Sequence, residues 1–250
     1  MSPFDLTDRT ALVTGASQGL GLGIAEQLLA AGADVLVLSR SEIPAGLVAS
    51  AAEAGRLVRW YPVDLLDAGA VDRVCADVLA EHRVDILVNN AGTQARYPAA
   101  EFPLEMWDRV LDLNLRAVFQ LCQLLGRPML ARGHGKVINL ASMLSFQGGL
   151  TVPAYAASKG AVAQLTKALC NEWAAQGVNV NAVAPGYMDT EMNAALIADP
   201  ERNAQISARI PAGRWGKASD IGAAVVFLAS AAADYVHGAV LPVDGGWLAR

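Results

Sequence analysis

Tyr155 and Lys159 stand four residues apart, a spacing that puts a phenol and an ammonium on one face of a helix. A phenol is a poor base near neutral pH, because its ordinary pKa is about 10. A neighbouring cation favours the phenolate and pulls that value down. The pair therefore reads as a tuned general acid/base. The bland alternative is an exposed helix pair with no task. Ser142 follows a short apolar run at 137–140 and can carry a hydroxyl to the end of a strand. No Gly-x-Ser-x-Gly elbow surrounds it and no His or acid follows in hydrolase order, which disfavours a serine hydrolase. Asn114 falls inside a long helical pattern, where asparagine is mildly unfavourable. That points to a functional or a kinking role.

A second constellation is Gly15-Ala16-Ser17-Gln18-Gly19-Leu20-Gly21, between a first apolar run and a helical pattern. Such a turn aims backbone N–H groups and a helix amino end at an anion. Gly15 permits the tight turn, Gly19 lets the backbone approach a pyrophosphate, and Gly21 lets the helix pack closely on the strand. The spacing is GxxxGxG rather than GxGxxG, and a purely structural turn is the competing reading. At the end of the next strand, where a carboxylate would hold an adenosine ribose, the chain reads Ser39-Arg40. A hydroxyl followed by a guanidinium suits a 2′-phosphate. NADP is therefore favoured over NAD, against the plain alternative of a solvated Arg.

The elements that must position these groups follow from the apolar pattern. Short apolar runs recur at 11–14, 35–39, 58–63, 86–89, 137–140, 178–184 and 239–243. Most are near-continuous rather than alternating, the mark of strands covered on both faces. Helical patterns separate them at 21–31, 45–54, 70–82, 104–130, 154–175 and 220–229. The alternation predicts an α/β fold: a single doubly wound, Rossmann-type domain over residues 1–250. Residues 189–214 have no strand partner and read as a small substrate lobe or lid.

Composition narrows the classes further. The 250 residues carry a net charge of -5 and are 54% hydrophobic but only 17% charged. The longest uncharged run, 137–158, is broken by Asn139, Ser142, Gln147, Gly148, Gly149 and Pro153, so it is no lipid-spanning helix. The first residues lack the basic flank and apolar core of a signal peptide, and a cytoplasmic protein is expected. Cys75, Cys122 and Cys170 are widely spaced and read as reduced thiols. His82, His134 and His237 show no metal-ligand spacing, so no metal is expected. No basic stripe suggests nucleic acid.

Taken together, the chain resembles the short-chain dehydrogenase/reductase family over essentially its whole length. The residues that carry the resemblance are Gly15, Gly19 and Gly21, Asp64-Leu65, Asn89-Asn90-Ala91-Gly92, Asn114, Ser142, Tyr155 with Lys159, and Pro185-Gly186. Within it, the stretches at 141–149, 171–174, 209–216 and 243–250 are similar to the 2-deoxy-D-gluconate 3-dehydrogenase group, also described as 2-dehydro-3-deoxy-D-gluconate 5-dehydrogenases, and to gluconate 5-dehydrogenases. The resemblance implies a seven-stranded parallel sheet, a homotetramer, and an NAD(P)-dependent oxidoreductase acting on a sugar acid or polyol. It implies that Tyr155 exchanges a proton with the substrate oxygen. Lys159 lowers the phenol pKa and holds the nicotinamide ribose, Ser142 orients the reacting carbonyl, and Asn114 supports a proton-relay water. It assigns Asp64 and Leu65 to the adenine, Asn90, Ala91 and Gly92 to the adenosine flank, and Pro185, Gly186, Met188 and Thr190 to the nicotinamide end. Ser17, Gln18 and Leu20 complete the phosphate loop. Ser39-Arg40 departs from the NAD-linked members.

A sugar acid needs a cation for its carboxylate. Arg96, in the loop after Gly92, offers a bidentate fork, with Gln94, Gln147 and Tyr187 as partners for hydroxyls. The apolar Trp247-Leu248-Ala249 is expected to add subunit contacts. Two other readings stand beside this one. A 3-oxoacyl carrier-protein reductase shares the motifs but would be expected to show a basic docking patch. A nicotinamide-sensing protein without catalysis would not need Asn114, Ser142, Tyr155 and Lys159 together.

Overall fold

The structure is a computed structural model that describes residues 2–250, the side chain of Met192 excepted. Seven parallel strands form one sheet: β1 (Thr10–Thr14), β2 (Asp34–Ser39), β3 (Val58–Pro62), β4 (Ile86–Asn89), β5 (Gly135–Leu140), β6 (Val178–Pro185) and β7 (Val240–Val243). Their order across the sheet is β3-β2-β1-β4-β5-β6-β7. The direction of winding reverses at β1, which pairs with β2 on one side and β4 on the other. A crevice opens at such a point beyond the carboxyl ends of the strands.

The apolar runs form strands because both faces are covered. Ala11, Val13, Val35, Val37, Ile86, Val88 and Ile138 share one buried cluster with Ile24, Leu28, Leu47, Ile221 and Val225. These last five come from α1 (Gly19–Ala30), α2 (Ala45–Glu53) and α9 (Ala218–Ala229). The intervening Leu12, Leu36, Leu38, Leu87 and Val137 point the other way, into a cluster with Val71, Val78, Leu121, Leu125 and Leu169. Those belong to α3 (Ala68–Glu81), α5 (Ala117–Arg132) and α6 (Pro153–Trp173). The period-two alternation of a strand thus feeds two apolar layers instead of one.

The helical pattern at 104–130 is not one helix. It divides into α4 (Leu104–Leu111), a π-helical turn at Asp112–Arg116, and α5. Ala117 N–H bonds the carbonyl of Asp112, five residues back, and Asn114 sits wholly buried inside the turn. Residues 189–214 leave the sheet as a helical excursion with α7 (Ala194–Ala198) and α8 (Pro200–Arg209). Its two ends are tied by an isolated bridge between Met188 and Gly216.

The C-terminal turn packs against the excursion. Trp247 is only 4% exposed and packs within its own chain, beside Met143, Ile206 and Ile210. Tyr187 lies between two indoles, with ring centroids 5.3 Å from Trp215 and 4.8 Å from Trp247. The excursion supplies the apolar partners of Trp247, which no local pattern announces, while Leu248 stays half-buried and Ala249 exposed. Among the described residues no helix is long and apolar enough to cross a membrane. Cys75 and Cys122 are buried free thiols, and burial pushes both up to about 12, which leaves them inert.

Candidate active site

A cavity of about 410 Å³ runs along the carboxyl ends of the strands, from Arg40 after β2 to Met188 and Thr190 after β6. The glycine loop forms its floor. Gly15 and Gly19 adopt left-handed backbone, with φ of 68° and 57°. A Cβ on Gly21 would lie 2.2 Å from the carbonyl oxygen of Gly15, so only glycine lets α1 start this close to the turn. Gln18 caps α1 in extended conformation without a side-chain bond, and no acid stands in the first turn. The amino end of α1 therefore offers its N–H groups to the cavity.

Thr14 and Asn90 lock this loop to the neighbouring strand. Thr14 Oγ1 accepts from the N–H groups of Asn90 and Ala91 at 3.0 and 2.9 Å. Asn90 Nδ2 donates to the carbonyls of Thr14 and Gly15 at 2.9 and 3.2 Å. At the far end Ser39 and Arg40 line the cavity beside Asp64 and Leu65. The Ser39 hydroxyl donates to the carbonyl of Ser41 at 2.7 Å. Its proton is committed, which leaves the exposed Arg40 as the cationic donor at this end.

At the opposite end the cavity wall is built from Ser142, Tyr155 and Lys159. Pro153 opens α6 in its first turn, where a missing N–H costs nothing, so Tyr155 enters two residues later. Lys159 is 5% exposed, and its Nζ donates to the carbonyl of Leu140 at 2.5 Å. It stands 5.6 Å from the centre of the Tyr155 ring. Burial pushes Lys159 down to about 8. Burial also raises Tyr155, and the interaction with the Ser142 hydroxyl opposes that rise. Desolvation therefore weighs against the phenolate in this pocket, whereas the spacing alone suggested that the ammonium would decide. Ser142 closes a tight turn in which its Oγ accepts from Leu144 N–H at 3.1 Å.

Asn114 lies one layer behind this wall. Its Oδ1 accepts from Thr93 N–H at 2.8 Å, and its Nδ2 donates to Thr93 O at 2.9 Å and Ser158 Oγ at 3.1 Å. The side chain is fully engaged within the protein. It stabilises the π turn by contacts far apart in the chain. Gly92 is close by, since a Cβ there would stand 3.3 Å from Asn114 Oδ1.

The cavity brings together Gly15, Ser17, Gln18, Gly19, Leu20, Gly21, Ala91, Pro185, Gly186, Met188 and Thr190 with the residues already described. It does not include Gln94, Arg96, Gln147 or Tyr187. Arg96 is exposed, and Gln94 and Gln147 are half-buried in loops. Tyr187 is held among the indoles. Arg109, Glu191 and Asn193 do line the cavity, though no motif marks them. No motif marks Ser145 or Ser158 either. The sequence held one clue to the second, a hydroxyl inside the Tyr155-to-Lys159 spacer.

Known proteins extend this geometry. The family model described as enoyl-(acyl carrier protein) reductase matches residues 15–248. The chain is 51% identical to a 2-dehydro-3-deoxy-D-gluconate 5-dehydrogenase of Bacillus subtilis (strain 168), over 99% of this chain and 97% of that protein. A solved structure from Beutenbergia cavernae, with NADP bound at low occupancy, is 51% identical, covers 100% of both chains and superposes with a TM-score of 0.96. A gluconate 5-dehydrogenase from Burkholderia cenocepacia J2315, in complex with NADP and tartrate, is 40% identical, covers 99% of this chain and 98% of that one, and gives a TM-score of 0.94. The chain belongs to the short-chain dehydrogenase/reductase family and is an NAD(P)-dependent oxidoreductase acting on CH–OH groups.

Proposed function

We propose that this enzyme interconverts a secondary alcohol and a ketone on a sugar acid of the gluconate or deoxygluconate type, with NADP favoured over NAD. The observation that carries the reaction is the meeting of Ser142, Tyr155 and Lys159 on one wall of a cavity that begins at a glycine loop and a free guanidinium. The sugar-acid class rests on relatives of that name at 40–51% identity across the whole chain.

The residues present fit a dinucleotide. The uncapped amino end of α1 and the Gly15–Gly21 cradle suit a pyrophosphate. Arg40 suits a 2′-phosphate and Asp64 an adenine amine, with Asn90, Ala91 and Gly92 along the adenosine. Pro185, Gly186, Met188 and Thr190 suit the nicotinamide end. When bound, the nicotinamide supplies the hydride acceptor or donor.

The chain's own residues supply orientation and proton transfer. In the oxidation direction the Tyr155 phenolate takes the alcohol proton, and in reduction the phenol returns it to the ketone oxygen. Lys159 stabilises the phenolate across the 5.6 Å that separates its Nζ from the ring. Ser142 hydrogen-bonds the substrate oxygen. Asn114, whose side chain is occupied, serves the relay through the backbone of the π turn that it holds open. Arg96, exposed in the loop after Gly92, takes the substrate carboxylate, with Gln94, Gln147 and Tyr187 around the hydroxyls. The excursion at 189–214 acts as the lid of a single domain. The same reading carries a cytoplasmic homotetramer.

A panel of sugar acids and neutral polyols, each assayed with NAD and NADP, tests the proposal. Turnover of a gluconate-type acid above the polyols supports it. Turnover of a 3-oxoacyl carrier-protein substrate instead, or cofactor binding with no turnover of any alcohol, overturns it.

A further inference from the structure

The four groups Asn114, Ser142, Tyr155 and Lys159 come from three separate elements. Asn114 belongs to the π turn, Ser142 to the loop after β5, and Tyr155 and Lys159 to α6. Such a set works only if the elements keep their register to a fraction of an ångström. Two hydroxyls outside the set bridge them.

The first is Ser158, which is wholly buried. Its Oγ accepts from Asn114 Nδ2 at 3.1 Å and donates to the carbonyl of Tyr155 at 2.8 Å. One hydroxyl thus joins the π turn to the residue that carries the phenol. The second is Ser145. Its Oγ accepts from the N–H of Ser142 at 3.3 Å and donates to the carbonyl of Lys159 at 2.7 Å. It joins the Ser142 turn to the residue that carries the ammonium. In each case the hydroxyl uses its single proton on α6 and a lone pair on the other element. The Ser158 bond is not needed to make the helix, because Ser and Thr interior to a helix gain nothing from bonding backwards to a carbonyl, and the Ser145 bond comes from outside α6 altogether.

We infer that Ser145 and Ser158 are positioning residues that hold the Ser142 hydroxyl and the Asn114 turn in register with Tyr155 and Lys159. This inference rests on the roles given above to those four residues. Removing either bridge leaves the fold and the glycine loop in place but lets one reacting group drift relative to another. Misplacement of that kind costs roughly tenfold to a hundredfold in rate. Cofactor affinity changes little, since neither serine lines the cavity.

Double-mutant cycles test it, with kcat, KM for NADP(H), the pH dependence of kcat and the melting temperature measured for each variant. Ser145→Ala and Ser158→Ala are each expected to lower kcat at least tenfold, to move KM for NADP(H) less than threefold and to displace the pH profile. In a Ser142→Ala background, Ser145→Ala should then add less than threefold. The same should hold for Ser158→Ala in an Asn114→Ala background. Ser158→Thr, which restores the hydroxyl, should recover most of the loss; if the extra methyl disrupts folding, the double-mutant cycle alone decides. Unchanged kcat and pH profile in the two alanine variants would overturn the inference, as would losses that simply multiply in both backgrounds. Retention of full turnover by Ser142→Ala itself would instead overturn the catalytic assignment on which the inference rests.

Discussion

Lys159 Nζ lies 5.6 Å from the centre of the Tyr155 ring while donating at 2.5 Å to the carbonyl of Leu140. The carbonyl anchors the ammonium below the phenol, and the i to i+4 spacing on α6 sets the approach. Both groups are desolvated, so each charged form is disfavoured by burial. A proton-transfer pair with this balance has two direct consequences.

Replacing Tyr155 with Phe removes the hydroxyl and keeps the ring. Turnover should fall by at least about a hundredfold, the scale of a lost general acid/base. The dissociation constant of NADPH, followed by nicotinamide fluorescence, should change little, because the glycine loop and Arg40 are untouched. Near wild-type turnover in this variant would remove Tyr155 from the mechanism.

The lysine makes stability depend on pH. Its folded value, about 8, lies below the ordinary lysine value of 10.5. Between those values the unfolded chain binds more protons at this site than the folded one, so stability rises with pH there. The Tyr155 value is raised above 10, which makes stability fall again at higher pH. The rise is therefore confined to about pH 8 to 10. Denaturant unfolding should show a positive slope of stability with pH in that window, and Lys159→Met should flatten it. An equal slope in both proteins would mean that the ammonium is not desolvated.

Much of this was legible before the structure. The strands begin and end within a residue or two of the apolar runs, because burial on both faces makes those runs continuous. Tyr155, Lys159 and the glycine loop carry their spacing in the sequence itself. The π turn was not legible, since the Thr93–Asn114 and Asn114–Ser158 bonds that stabilise it join distant segments. Nor was the use of Trp247 inside the chain, which depends on Ile206 and Ile210 arriving from the excursion. The Ser39 hydroxyl looked available for phosphate until Ser41 turned back to accept its proton.

The glycine loop offers a sharp steric test. An alanine at position 21 would put its Cβ 2.2 Å from Gly15 O and 2.5 Å from Asn90 Nδ2. Neither neighbour can retreat, because Asn90 is bonded to the carbonyls of Thr14 and Gly15. Gly21→Ala should cost about 1–3 kcal/mol of stability through overpacking, and should weaken NADPH binding at the same time. A melting temperature equal to wild type would show that the loop is free to move.

The proposed preference for NADP rests on Arg40, since the Ser39 proton is spent elsewhere. Arg40→Ala should reduce the ratio of kcat/KM for NADP over NAD by tenfold or more, which corresponds to about 1.4 kcal/mol. The loss should fall on NADP alone, because NAD has no 2′-phosphate for the guanidinium to grip. A wild-type enzyme that prefers NAD by tenfold would refute the role of Arg40.

The proposed carboxylate contact of Arg96 can be tested directly. Arg96 follows Ala95, which shares a buried cluster with Ala154, the residue before Tyr155. The next residue, Tyr97, donates its N–H to the carbonyl of Thr151 at 3.0 Å, in the turn that leads into α6. These contacts fix the Arg96 backbone beside the start of the catalytic helix, and the side chain is exposed there. A guanidinium so held can pair with a carboxylate on a substrate whose carbinol faces Tyr155. Arg96→Ala should then raise KM for a gluconate-type acid by about tenfold, within the range of a charge-assisted hydrogen bond. KM for a neutral polyol of the same length should stay within twofold, and kcat should hold for both. An equal rise for acid and polyol would assign Arg96 to loop packing and leave the carboxylate to another cation, of which Arg109 on the cavity wall is the next to test.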